Sequence, residues 1–528
     1  EATTSGKSCR SLTSYAAIVD LHVSLDGRRD LAGQIYVQIR AAILDGRLRP
    51  GQSLPSSRDL ATRLAVSRNT VNAAYDRLVA EGFVTARPGV GTMVSEHIAV
   101  PVPDDHGGPN DLKPPDGPRP PHEPGVTLWP RPIWAAHSDP PDLSANEPEF
   151  DFRTGMPDAR HFPYPTWRAL LARQLRPSAT RLGVYADPAG HPGLRAAIAR
   201  HIGVSRAVPT SADRVLVTNG TQQALDLVSR VLLAPGDVVA MEDPGYPPAW
   251  RVFHSAGANV VDVPVDADGL VVDALPSRAR LVYVSPSHQF PVGMRMSLSR
   301  RLSLLSWAQA SGAVIVEDDY DSEFRYTGRP IEPLRALDRT GRVVYIGSFS
   351  KTMLPTLRLG FCVPPASLFP ALRRAKYVLD WHTALPMQAA LAEFIDRGLL
   401  ARHIRRMRGL YQARRDLITT CLDRDFADRL TIVSSLAGLH VTAWLRSGTT
   451  RSGTALAGTT RSGTALSGSA EESRDVVRRA ADAGVAVQAL ADFSRSGVPP
   501  AGLMIGYGLI PLDRIEEGLR RLRGCIAS

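Results

Sequence analysis

The sequence predicts an α/β protein in three parts: a winged helix-turn-helix at residues 21–96, a proline-rich linker at 97–148, and an α/β domain at 149–528 with a mostly parallel sheet and a small C-terminal α/β part. Three observations carry this expectation. The N-terminal stretch runs helix, tight turn, helix and short strand hairpin. Nine prolines then crowd between Pro101 and Pro124. From Phe150 onward, short β-branched runs alternate with helical ones, the pattern of a parallel sheet covered by helices. A chain of 528 residues is also too long for one ordinary core.

Composition narrows the class. Hydrophobic residues make up 44% and charged residues 22%, as in a soluble globular protein. No apolar run is long enough to span a bilayer, and the opening EATTSGKSCR has no signal-peptide core, so a cytoplasmic protein without a membrane partner is expected. The missing initiator Met points to a truncated or unusual start, and residues 1–20 receive no function. Cys9, Cys362, Cys421 and Cys525 lack CxxC spacing, which argues against a disulfide framework or a structural zinc site. A net charge of +10 permits a polyanionic partner.

In the first part, Leu31, Ile35, Val37, Ile39 and Ile43 recur at roughly helical spacing over 31–44. Ser56 and Ser57 cap a short helix, Arg58 to Leu64, and Ala65-Val66 breaks it. Ser67 caps the next helix, Arg68 to Ala80, which closes at Glu81-Gly82. Phe83 to Val94 reads as a hairpin around Pro88-Gly89. The second helix of such a pair enters the DNA major groove by its N-terminal residues, here Ser67, Arg68, Asn69 and Thr70. Arg pairs with guanine and Asn with adenine, while Arg58, Arg87 and the wing turn at Gly89 suit the phosphate backbone. The run LPSSRDLATRLAVSRNTVNAAYDRLVAEGFV resembles the GntR-type winged helix over about seventy residues.

The linker cannot bury a core and reads as an extended spacer; its His106 and His122 are not read as metal ligands. In the third part, candidate strands are 214–217, 238–241, 281–284, 314–317 and 343–346, and ligands in such folds gather at the carboxyl ends of strands. Three of these ends carry chemistry. Asn219-Gly220-Thr221-Gln222 opens a helix, Ala224 to Leu232, as an anion-binding turn. Glu317-Asp318-Asp319-Tyr320-Asp321 is an acidic cluster. Ser348, Lys351 and Arg358 follow the strand at 343–346. Lysines are rare in this arginine-rich chain (Lys7, Lys113, Lys351 and Lys376), and arginine cannot form a Schiff base. An acidic cluster alone suits magnesium. A phosphate cradle, a carboxylate and a lysine together suit pyridoxal 5'-phosphate.

Over the whole chain, RTGMPDARHFP, GTQQALDL, EDPGYP, SPSHQFPVG, EDDYDSEFRY and SFSKTMLPTLRLG resemble the MocR subfamily of GntR-type regulators, a winged helix fused to a fold-type I aminotransferase-like domain. The resemblance implies that Lys351 forms the Schiff base, Asp318 faces the pyridine nitrogen, Tyr320 approaches the ring hydroxyl and Tyr246 stacks on the ring. It gives Gly220, Thr221, Gln222, Ser348 and Arg358 to the phosphate. Tyr185 resembles a tyrosine that reaches the neighbouring subunit's phosphate, which implies a homodimer, with a head-to-tail arrangement as one option.

Departures from the pattern bear on activity. Where these folds carry an N-P-T-G turn with its asparagine against the ring hydroxyl, the turn here reads Gln289-Phe290-Pro291-Val292-Gly293, and residues 501–507 lack the arginine that would pair with a substrate carboxylate. Pro248 stands where an amino-acid-sensing relative carries another arginine. The sequence therefore favours a regulator of DNA binding that senses pyridoxal phosphate or a small amine, with vitamin B6 genes as targets by analogy. An active aminotransferase with an appended DNA-binding domain is the alternative, and whether the chain turns over a substrate stays open. Residues 446–468 hold a tandem Gly/Ser/Thr repeat, read as a surface insertion without function.

Overall fold

The computed structural model describes residues 23–27, 29–87, 91–96, 131–137, 148–176, 184–326, 332–435, 437–446, 469–495 and 501–526. The chain divides into two compact units, 1–126 and 127–528. Gly89, His106, His122, the repeat from 447 to 468 and the first twenty residues lie outside the described residues.

The first unit consists of α1 (Leu31–Leu44), α2 (Ser57–Leu64), α3 (Arg68–Ala80), β1 (Val84–Arg87) and β2 (Gly91–Val94). Ser56 and Ser67 cap α2 and α3 by accepting the amides of Asp59 and Thr70, satisfying donors that a helix start leaves free. Between those helices Ala65 sits at φ 52°, a left-handed residue that makes the turn tight. The core is the set that helical spacing predicts, with Ile35, Ile39, Ile43, Val71 and Leu78 fully buried; Val37, included in the same apolar pattern, is exposed. β1 and β2 pair antiparallel from Val84↔Val94 to Arg87↔Gly91, which forms the wing.

The second unit is built on an eight-stranded sheet. Following β3 (Phe150–Asp151) and helices α4 (Tyr164–Gln174) and α5 (Pro192–Arg206) come β4 (Leu216–Thr218), α6 (Gly220–Leu232), β5 (Val238–Asp243) and α7 (Pro247–Ser255). β6 (Asn259–Asp266), β7 (Gly269–Leu270), β8 (Ala279–Val284), α8 (Leu298–Ser311) and β9 (Val314–Asp319) continue the chain. α9 (Leu334–Leu337), β10 (Val343–Ser348) and β11 (Gly360–Val363) complete the sheet, whose order is β4-β11-β10-β9-β8-β5-β6-β7. Neighbours from β10 to β6 run parallel, β11 is antiparallel to both of its neighbours, and β7 hairpins back on β6. The central strands are apolar throughout because helices cover both faces: Val343, Val344, Ile346, Ile315 and Val316 are fully buried. Each such side chain contributes roughly 1.5–3 kcal/mol.

A smaller part follows α10 (Phe369–Asp380), α11 (Leu385–Asp396) and the long α12 (Leu399–Asp425). Its antiparallel sheet contains β12 (Leu430–Ile432), β13 (His440–Leu445), and beyond α13 (Ala470–Asp482) and β14 (Val485–Ala486), the strands β15 (Gln488–Ala489) and β16 (Gly502–Gly506), before α14 (Ile515–Cys525). The order is β12-β13-β16-β15, while β14 pairs with β3.

Two local differences from the sequence reading have physical causes. The helix after β4 opens at Gly220 rather than Ala224, because Gly220 takes φ +73° and lets the chain enter the helix directly from the strand. Within the stretch read as an extended linker, Pro132–Ala136 forms a 3-10 turn, and His137 packs on Trp250 and His254 at centroid distances of 5.7 and 5.2 Å. Proline counting misses this because Trp134 and His137 supply rings that a spacer would not need.

Candidate functional site

The sheet sets the site. Parallel pairing puts Ile346 opposite Asp318 and Gly347 opposite Asp319, so the loops leaving β9 and β10 emerge on one edge. Gly360, opposite Ser348 on β11, brings the start of α6 to the same edge: a Cβ on Gly360 would lie 2.9 Å from Gly220 Cα. Only glycine permits that approach.

Lys351 is half-buried there. Its ammonium donates to the Gly155 carbonyl at 2.6 Å, and burial pushes its pKa below the usual lysine range, against the opposing pull of Asp321 and Asp318. Gly155 is at φ +77°, and a Cβ on it would meet Lys351 Nζ at 3.1 Å. The second internal lysine has a different role. Lys376 is fully buried and donates to Asp380 at 2.9 Å, Gln223 at 2.8 Å and Thr383 at 3.2 Å. Gln223 in turn accepts the Asn219 amide, and Asp380 accepts the Asn219 side chain. Lys376 thus fixes the loop entering α6 from behind.

Asp318 is 4% exposed. One oxygen accepts the Tyr283 hydroxyl at 2.7 Å, while the other is buried with no hydrogen-bond partner. Burial pushes its pKa up to about 7; the Tyr283 bond and nearby Lys351 oppose the shift, and Asp319 and Asp321 add to it. A buried carboxylate oxygen without a donor is costly unless a ligand supplies one. Glu242, bonded to the Ser285 amide and hydroxyl at 3.0 and 2.8 Å, is also held up to about 7 by burial. Both acids keep their proton in the folded chain at pH values where the unfolded chain has lost it. The stability they contribute is complete below about pH 4 and is lost as pH rises through about 7. Thermal midpoints of ligand-free protein should therefore fall from about pH 5 to about pH 8, and Asp318→Asn should reduce that slope by about one proton. An unchanged slope in the variant would contradict this assignment.

The residues expected to form a phosphate cradle come together as well. Arg358, itself left-handed at φ 51°, donates to the Asn219 carbonyl at 2.9 Å, and a Cβ on Gly220 would meet its guanidinium at 2.9 Å. Thr221 and Gln222 stand in the first turn of α6, with Gln222 Oε1 buried and without a partner. The Ser348 hydroxyl accepts the Ser350 amide at 3.1 Å. Burial, with a smaller push from Asp318, raises the Tyr246 pKa to about 12, and Tyr246 stands edge-to-face to Phe290 at 5.6 Å.

Other expected residues are placed differently. The Tyr320 hydroxyl lies 3.0 Å from His288 Nδ1, within a buried set in which His288 also meets Asp321 at 2.9 Å and Ser435 at 3.1 Å. Gln289 braces its own turn and ties it to the loop after β5: its amide donates to the Phe290 and Pro244 carbonyls at 2.8 Å, and its oxygen accepts the Val292 amide. Where an arginine would anchor a carboxylate, β16 offers buried Leu503, Met504 and Ile505. Tyr185 is 72% exposed and packs on Trp381 at a centroid distance of 3.9 Å. Sequence reading overlooked Gly155, Tyr283 and His288. Tyr283 was detectable, since it sits on a strand beside the acidic one. In the first unit Ser67, Arg68 and Asn69 are exposed at the start of α3, with Thr70 partly covered, and Arg58 and Arg87 are accessible.

Comparison with known proteins agrees with this geometry. Residues 31–94 match the family described as bacterial regulatory proteins, gntR family, and residues 142–456 match aminotransferase class I and II. The chain is similar to the probable rhizopine catabolism regulatory protein MocR of Rhizobium meliloti, at 38% identity over 94% of this chain and 93% of that protein. It is also similar to the HTH-type pyridoxine biosynthesis transcriptional regulator PdxR of Corynebacterium glutamicum, at 32% over 77% and 82%. Among solved structures, kynurenine aminotransferase of Pyrococcus horikoshii, crystallised with PMP, superposes with a TM-score of 0.65 at 26% identity, covering 74% of this chain and 96% of that one. No helix among the described residues is long and apolar enough to cross a membrane. With a GntR winged helix and a class I and II aminotransferase unit in one chain, the protein belongs to the MocR-type GntR regulators.

Proposed function

We propose that this chain is a DNA-binding transcriptional regulator whose aminotransferase-like unit holds pyridoxal 5'-phosphate and responds to it, or to a small amine that reacts with it. The observation that carries the reading is the buried Asp318 oxygen without a donor, set close to a lysine whose amine burial pushes toward neutrality. Bound there, the cofactor supplies an aldehyde that condenses with amines and a ring that withdraws electrons. Lys351 would be the amine placed to meet that aldehyde, and Asp318 would hold a proton toward the ring nitrogen. Gly220, Thr221, Gln222, Ser348 and Arg358 would hold the phosphate, and Tyr246 would cover the ring. Tyr320, part of the His288 set, would serve the ring hydroxyl.

A homodimer fits the same unit. Tyr185, Tyr377, Val378 and Trp381 form an exposed apolar and aromatic patch, 72%, 47%, 83% and 41% accessible. A patch of this kind marks an interface, and it leaves Tyr185 free to reach a neighbouring copy. The buried aliphatic side chains of β16 favour sensing over turnover, since a substrate carboxylate finds no guanidinium there to orient it. Similarity to the pyridoxine biosynthesis regulator PdxR supports vitamin B6 genes as the regulated set.

The deciding experiment maps bound genomic DNA with and without pyridoxal phosphate, alongside incubation with a panel of amino acids and a keto acid. Occupancy that shifts with the cofactor and no sustained turnover are expected. Sustained multiple turnover would instead support the aminotransferase reading.

A further inference from the structure

Successive residues of a strand point to opposite faces, so Asp318 and Asp319 serve different surroundings. On the Asp319 side, Arg206 donates to its carboxylate at 2.9 Å and pairs with Glu323 at 3.1 Å, forming the floor of a cleft of about 830 Å³. That volume suits a small organic ligand. The cleft lies between α5, the segment after β9, and α12, and neither Lys351 nor Arg358 lines it.

Its charge is unbalanced. Arg200 is matched by Asp396 and Arg206 by Asp319 and Glu323. Among the described residues, no carboxylate is within ion-pair distance of the remaining lining arginines, Arg325, Arg405 and Arg408, and Arg325 has a buried guanidinium nitrogen with no hydrogen-bond partner. Burial of an unmatched cation is costly unless an anion completes it. Glu332 is the one lining carboxylate without an arginine, so three guanidiniums without a counter-ion share the cleft with one such carboxylate. Arg405 and Arg408 are three apart on α12 and so are neighbours on its surface. The wider charge distribution agrees: residues 1–126 contain 14 Lys and Arg against 14 Asp and Glu, so the whole excess of +10 lies in residues 127–528.

We propose that this cleft is a second ligand site, which binds the phosphate dianion of a small organic phosphate. Guanidinium forks match phosphate oxygens in pairs, the three guanidiniums without a counter-ion call for an anion, and Val204, Ile395 and Ile404 give the organic part an apolar wall.

Calorimetric titration of inorganic phosphate into full-length protein saturated with pyridoxal phosphate tests this. One saturable site per chain is expected, at least tenfold weaker in Arg325→Gln and in Arg408→Gln, with the bound cofactor's absorbance constant throughout. Arg408 is exposed, so its variant is informative even if Arg325→Gln folds poorly. No saturable binding in the parent protein, equal affinity in Arg408→Gln, or tighter binding of malonate than of phosphate would overturn the proposal. So would a fall in the cofactor's absorbance during titration, which would place the phosphate in the Arg358 cradle. Loss of operator affinity in Arg408→Gln with phosphate binding intact would assign the surface to nucleic acid instead.

Discussion

Lys351→Ala is expected to abolish the visible absorbance that the protein gains with pyridoxal phosphate and to weaken retention of the cofactor on the order of 100-fold, about 2.7 kcal/mol. The proposed phosphate cradle at Gly220 and Arg358 remains in that variant, so the cofactor should still be captured by its phosphate but without a covalent bond. Lys351→Arg should fail in the same way, because a guanidinium keeps the charge yet cannot condense with an aldehyde. The fold should tolerate the change, since the only hydrogen bond lost is the one to the Gly155 carbonyl. A spectrum preserved in Lys351→Ala would remove Lys351 from its proposed role, and a colourless parent protein after reconstitution would remove the cofactor itself.

What the sequence made legible was periodic or positional. The winged helix could be read residue by residue because each signal in it is local: Ser56 and Ser67 cap helices within four residues, and Ile35, Ile39 and Ile43 lie one turn apart. The strands of the large sheet were legible because burial on both faces makes them continuous β-branched runs. Interactions at long range were not. Nothing local in the chain says that Lys376 fixes Asn219, 157 residues earlier, through Gln223 and Asp380. His288 could be quoted within SPSHQFPVG, yet its tie to Tyr320 and Ser435 needs the fold. The departure at the turn gained a physical account only from coordinates, where the Gln289 amide braces the turn around the Phe290-Pro291 bond and ties it to the Pro244 carbonyl.

Arg68→Ala is expected to weaken operator binding by about 1–3 kcal/mol, on the order of 5- to 150-fold, and to relax preference at one base pair. Ser67 has its hydroxyl engaged in the cap, accepting the Thr70 amide at 3.1 Å and meeting the Thr70 hydroxyl at 2.8 Å. That leaves Arg68 and Asn69 as the side chains at the start of α3 able to address base edges. Arg68 Nε donates to Ser57 at 3.2 Å, a bond back to α2 that restrains the side chain and leaves its two terminal nitrogens for a ligand. Pre-organisation of that kind limits the entropy lost on binding. Arg87→Ala on the wing should differ in character: a uniform loss across sequences and a salt slope reduced by about one. The two variants separate reading from positioning, because only a base contact changes which sequence is preferred. Since Arg68 and the Lys351 site lie in different compact units, the cofactor spectrum of Arg68→Ala should match the parent's. Unaltered footprints and unaltered base preference in that variant would remove α3 as the recognition helix.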